Sequence, residues 1–119
     1  MIKLIIGPCN FTAMAIAKVD AFGKRKQELA KFSKAISHPA RIAILRKLAR
    51  DNRCSCNDIV KEIPLSQSTV SQHLKELKNA GLIDATIEGP HSFYRLNKQN
   101  LREFDHEFSR LINNIRHKK

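Results

Sequence analysis

The sequence predicts a mainly helical fold completed by one small β-hairpin. Apolar residues recur at helical spacing in several stretches between Lys24 and Ile115. Pro39, Pro64 and Gly81 fall where those stretches start or stop. Strand-like runs occur only at Leu82–Ile87 and Ser92–Leu96, with the turn-forming Glu88–Gly89–Pro90–His91 between them.

The chain has 119 residues, enough for one domain with a modest core. A hydrophobic content of 42% and a charged content of 28% fit a globular protein. Lys and Arg number 22 against 11 acidic residues, a net charge of +11. Such a balance favours a polyanionic partner, nucleic acid or an anionic membrane surface. No stretch is apolar enough to span a bilayer, and Leu4–Ile6 is too short for the core of a signal peptide. A cytoplasmic protein with no membrane partner is therefore expected. No Gly-rich phosphate loop, carboxylate pair or Cys–His signature points to an enzyme. Three cysteines, an odd number, argue against a disulfide scaffold and raise metal or thiol chemistry instead.

Residues 1–23 are expected to form an irregular N-terminal arm, since Gly7, Pro8 and Asn10 interrupt any regular element. Met14 is a second candidate initiator within it. Residues 24–119 then form the domain. Lys24–Ile36 aligns Leu29, Phe32 and Ile36 on one side of a helix. Pro39 suits the first position of a second helix, Pro39–Ala49, because its missing N–H costs nothing there. Ile42, Ile44, Leu45 and Leu48 spread round that helix, which predicts the most buried position. A short helix at Ser55–Glu62 is stopped by Pro64. The helix Ser66–Ala80 follows at once, and two helices joined this tightly make a helix-turn-helix. The hairpin behind it reads as a wing. Asn97–Asn100 caps a last helix reaching about Ile115, with Leu101, Phe104, Phe108, Ile112 and Ile115 as its apolar stripe and Leu111 at the margin.

Leu65–Ile83 is the most informative stretch. Ser66 is a good N-cap, and Gly81 suits a left-handed C-cap. Val70, Leu74 and Leu77 share one side. At about 100° per residue, Ser68, Ser71, Gln72, Lys75 and Asn79 fall on the other. That polar face has no acid at its centre and suits base edges and phosphates of duplex DNA.

The element order resembles the ArsR/SmtB family of winged-helix repressors. The match is carried by His38–Pro39–Ala40–Arg41–Ile42 with Ile44–Leu45, and by Cys54–Ser55–Cys56–Asn57–Asp58–Ile59. Ser68 to Leu77, Ala80–Gly81–Leu82–Ile83 and Tyr94–Arg95–Leu96 continue it, so that it covers roughly residues 25–112. The resemblance implies a homodimer that binds a palindromic operator and lets go when a metal or other inducer binds. It places Gln67, Ser68, Ser71 and Gln72 at base edges, and Ser66, Lys75 and Lys78 at phosphates. His73 has two readings, a histidine packed at the core edge or a DNA contact. The wing departs from the family pattern: it carries Glu88, Pro90 and His91, with only Arg95 nearby, so His91 and Arg95 are its candidate contacts. Pairing through Leu101, Phe104, Phe108, Leu111, Ile112 and Ile115 would set two recognition helices about 34 Å apart.

Cys54-x-Cys56 matches the place of the paired cysteines in the branch that responds to arsenic, cadmium or lead. Thiolates prefer soft ions, which makes As(III), Cd(II), Pb(II) or Zn(II) the candidate effectors. Residues i and i+2 of a regular helix point apart, so joint chelation needs Cys54 outside the helix. Ile59 stands where the arsenic branch has a third cysteine, and only Cys9 offers an N-terminal ligand of the cadmium kind. Buried, incidental cysteines and a thiol redox or persulfide switch are the alternatives. The family's zinc site on the last helix is expected to be absent, because Phe104 stands where a carboxylate is needed, and His106 and His117 are expected in solvent. An architectural or RNA-binding basic protein is the rival class. One Tyr and no Trp argue against a base-stacking RNA module.

Overall fold

The computed structural model describes residues 21–117, so the expected arm at 1–23, with Cys9 and Met14, lies almost wholly outside the described residues. Helix α1, Lys24–Ala35, buries Phe32 and Ala35. Helix α2, Pro39–Asp51, starts where His38 Nδ1 accepts from the amide of Ala40 at 3.0 Å. It ends at Asn52, whose φ of 69° is a conformation that Asn tolerates better than most residues.

Strand β1, Cys54–Ser55, was not expected, since two residues are too short to show a period. It pairs antiparallel with β3, Cys54 opposite Tyr94 and Ser55 opposite Phe93. Helix α3 covers Cys56–Val60, shorter than the expected Ser55–Glu62. A capping box fixes its start: Ser55 Oγ accepts from the Asp58 amide at 3.1 Å, and Asp58 Oδ2 accepts from the Ser55 amide at 3.0 Å.

Helix α4 is Gln67–Asn79. It closes in a Schellman motif, in which the Gly81 amide donates to Lys78 O and the Leu82 amide to Leu77 O. Gly81 has φ +88°, and a Cβ there would meet Asn100 Nδ2 at 2.9 Å. Strands β2, Ile83–Glu88, and β3, His91–Leu96, form the hairpin, and the sheet order is β1-β3-β2. Helix α5, Lys98–Arg116, begins where Asn97 Oδ1 accepts from the Asn100 amide at 2.9 Å.

The core forms where α2, α3 and α4 meet the base of the sheet, around Ile44, Leu48, Ile59, Leu74, Leu77 and Leu82. One expectation is corrected. Ile42 of α2 is not buried with its neighbours but is 44% exposed. Two residues from Ile44 it points about 200° away, so both cannot face one core. Helix α2 still buries Ala40, Ile44, Lys47 and Leu48, as many residues as α4, which buries Val70, His73, Leu74 and Leu77. The stripe of α5 also divides. Leu101 and Phe104 pack on the core, with the Phe104 ring 5.6 Å from that of Phe32. Phe108, Leu111, Ile112 and Ile115 are exposed.

Candidate nucleic-acid interface

The interface is built on α4, which is held by its apolar side. Val70, Leu74 and Leu77 have no exposure at all, which fixes the rotation of the helix. Gln67, Ser68, Ser71, Gln72, Lys75 and Lys78 are consequently exposed on the other side. The first five line one shallow depression. Ser66 caps the helix, its Oγ accepting from the Thr69 amide at 3.3 Å. That leaves other first-turn amides open to an anion. Gln72 Nε2 donates to Glu76 Oε2 at 3.1 Å, so in the free protein its amide is held along the helix.

His73 is the one candidate the structure takes off this face. It is 8% exposed, its ring lies 4.4 Å from that of His38, and its Nδ1 accepts from Arg41 Nε at 3.1 Å. Burial lowers its pKa, and His38 and Arg41 lower it further. Of its two readings, the packed histidine is the one its burial supports.

On the wing, His91 and Arg95 are both exposed, with Arg95 opposite Asp84 and His91 opposite Glu88. Arg53 adds a cation that sequence spacing did not reveal. It reaches Glu88, 35 positions away, Nη2 donating to Oε1 at 2.5 Å. Its guanidinium carbon lies 3.9 Å from the centre of the Phe93 ring. No local pattern announces this contact, because it depends on β1 lying beside β3.

The cysteines are divided. Cys54 lies in β1, outside the helix, and is 2% exposed, and burial pushes its thiol pKa up. Cys56 is the first residue of α3, half-buried, with Sγ 3.5 Å from Ser71 Oγ. Among the described residues no group of three or more His, Cys, Asp or Glu is placed to hold a metal ion. These two sulfurs fall short of the four-ligand shell of a closed thiolate site, and the described residues therefore do not fit a complete one. His106 and His117 are exposed on α5. No helix among the described residues is long and apolar enough to cross a membrane.

A three-strand sheet beside a helix-turn-helix, with the polar face of the second helix turned outward, defines a winged-helix DNA-binding regulator. Residues 38–85 match the model of the arsR family of bacterial regulatory proteins. An HTH-type transcriptional regulator of Methanocaldococcus jannaschii is 35% identical over 81 residues, 67% of this chain and 90% of that relative. The arsenical resistance operon repressor of Staphylococcus xylosus is 33% identical over 87 residues, 73% of this chain and 75% of the relative. Among solved structures, an ArsR-like transcriptional regulator from Rhodococcus sp. RHA1 superposes with a TM-score of 0.65 at 27% identity, covering 72% of this chain and 80% of the other. The chain belongs to the ArsR family.

Proposed function

We propose that this regulator is a homodimeric operator-binding repressor in which Gln67, Ser68, Ser71 and Gln72 read base edges in the major groove. Ser66, Lys75 and Lys78 contact the flanking phosphates, and His91 and Arg95 extend the contact along the wing. The carrying observation is the division of α4, apolar residues with no exposure on one side and a continuous exposed polar face on the other. A net charge of +11 supplies the long-range attraction to a polyanion. The Staphylococcus xylosus relative, by its name, represses an arsenical resistance operon, which supports the reading as a repressor. The uncovered Phe108, Leu111, Ile112 and Ile115 support pairing of two copies through α5. In this reading, residues 24–119 form the working domain, 1–23 an arm, and the site of action is the cytoplasm, with the DNA.

DNase footprinting on the DNA upstream of its gene tests the reading. Wild type is expected to protect one palindromic site, Gln72→Ala to blur its sequence preference, and Lys75→Ala to weaken protection with a smaller salt dependence. Equal protection by all three overturns the assignment.

A second reading makes a thiophilic ion the effector. It is favoured by the position of Cys54 outside the helix and by the contact between Cys56 and Ser71, which links a sulfur to the reading face. Cys54, Cys56 and Cys9 would be the donors. Titration with As(III), Cd(II), Pb(II) and Zn(II) is expected to raise a thiolate-to-metal absorbance band and release the DNA. No band and no release remove this effector and leave operator binding intact, with thiol redox as the remaining cysteine-based signal.

A further inference from the structure

The wing tip is acidic on a protein whose partner is a polyanion. Between Ile83 and Leu96 the sole Lys or Arg is Arg95, which sits at the far end from the turn and opposite Asp84. Glu88 and His91 flank the tip itself. Left alone, the Glu88 carboxylate would repel phosphate. Arg53 answers it from outside the hairpin: its guanidinium lies over Phe93, and Nη2 bonds Glu88. Phe93 is paired on both sides, opposite Ser55 in β1 and Thr86 in β2, so the backbone that carries this platform is fixed in the central strand. Stacking on that platform fixes the plane of the guanidinium before any ligand arrives.

The Arg53 side chain nevertheless keeps 40% of its exposure. Of its five N–H groups, the bond to Glu88 is the one recorded among the described residues. A planar fork with free donors, held flat and half in solvent, matches the oxygens of a phosphodiester.

We propose that Arg53 is a further phosphate contact beside the wing, and that Glu88 competes with the DNA backbone for it. The proposal rests on the operator-binding reading above and adds a residue to it. Free in solution, the guanidinium neutralises Glu88. Against DNA, it turns donors to a phosphate and displaces a condensed counterion, so the pair sets how firmly the wing grips. The competing role is a strap, an ion pair that only ties the hairpin to β1.

The full chain is titrated with a random-sequence duplex over a salt series, because a phosphate contact needs no operator. Wild type is compared with Arg53→Gln, Arg53→Lys and Glu88→Gln, and each variant is melted. Arg53→Gln is expected to reduce the slope of log K against log salt by about 0.9 per protomer. Glu88→Gln is expected to bind about threefold to tenfold more tightly at low salt, since the competing carboxylate and its repulsion are gone. Arg53→Lys is expected to keep the slope and lose part of the affinity, having charge without the planar stack. An unchanged slope in Arg53→Gln overturns the proposal, and a lowered melting temperature beside that unchanged slope identifies a strap. If Arg53→Gln does not fold, Glu88→Gln decides: no gain in affinity overturns it. A wild-type protein that shows no salt-dependent binding to any duplex overturns the operator-binding reading as well.

Discussion

Arg41 in α2 donates its Nε–H to Nδ1 of His73 in α4 across 3.1 Å, tying the recognition helix to the helix before the helix-turn-helix. The bond needs a lone pair on Nδ1, so it exists only while that nitrogen carries no proton. Arg41 also donates from Nη1 to the carbonyl of Ala35 at 3.2 Å, at the end of α1. One guanidinium therefore links three helices, and the acceptor state of one imidazole decides whether the link to α4 holds.

A pH dependence follows from that acceptor state. The pKa of His73 is lowered from the ordinary 6.5 by burial, then by His38 and by Arg41, with Glu76 as the one opposing charge. A value lowered on folding means the unfolded chain binds more protons just below pH 6.5. The sign is then fixed: no penalty above about pH 7, and stability lost as pH falls from there towards the lowered value. Urea unfolding is expected to show a midpoint that falls as the pH drops below about 7 in wild type. His73→Gln is expected to lose less over the same drop, since it has no proton to gain. Parallel losses in the two proteins contradict the assignment.

Gly81→Ala is expected to destabilise the fold by about 1–2 kcal/mol, read as a lower urea midpoint. The backbone cost comes from φ +88°. A steric cost adds to it, because the new Cβ would crowd Asn100 Nδ2, which donates to Gly81 O at 2.8 Å. That bond ties the first turn of α5 to the end of α4. A compensating Asn100→Ala in the same chain is expected to relieve the clash but not the backbone strain. Full recovery in the double variant would place the whole cost in the clash.

The helices and the hairpin were legible because each is written in local terms. Pro39, Ser66, Gly81 and Asn97 mark ends, and Val70, Leu74 and Leu77 mark a face. The polar side of α4 was legible for the same reason, since a helix with one buried stripe must expose the opposite one. What was not legible depends on contacts distant in sequence. Strand β1 exists because β3 lies beside it, and Arg53 meets Glu88 only through that pairing. Ile42 looked buried because an apolar side chain does not announce which neighbours reach it. The division of α5 between its own core and an uncovered half was hidden too, because the apolar period runs through both halves unchanged.

The acid limb of stability is expected to rest on three carboxylates whose pKa values folding lowers. The hydrogen bond from the Ser55 backbone N–H lowers that of Asp58, Lys47 that of Asp51, and Arg50 with Lys47 that of Glu62. Their contribution is present above the ordinary carboxylate range and is lost as pH falls through the lowered values. Asp58→Asn is expected to weaken the capping box of α3 by about 1 kcal/mol at neutral pH. It is also expected to flatten the loss below about pH 4. An acid limb of unaltered steepness in Asp58→Asn would remove this carboxylate from the account.

The two halves of α5 are expected to respond differently to substitution. Phe104 packs its ring against Phe32 and, on the other side, 5.9 Å from Phe108. Phe104→Ala therefore opens a gap between α1 and α5, with an expected cost of about 2–4 kcal/mol to the protomer itself. Ile115 is 62% exposed, so Ile115→Asp removes almost no contact within the described protomer. In the homodimer reading it puts a charge into the C-terminal end of the α5 pairing surface, where burial without a partner is costly. Sedimentation at micromolar concentration is expected to give a dimer for wild type and a monomer for Ile115→Asp, with a far-ultraviolet circular dichroism spectrum close to wild type. Loss of the dimer is also expected to weaken operator binding steeply, because one recognition helix then reads one half-site alone. If Ile115→Asp sediments as wild type does, the exposed half of α5 is not the pairing surface.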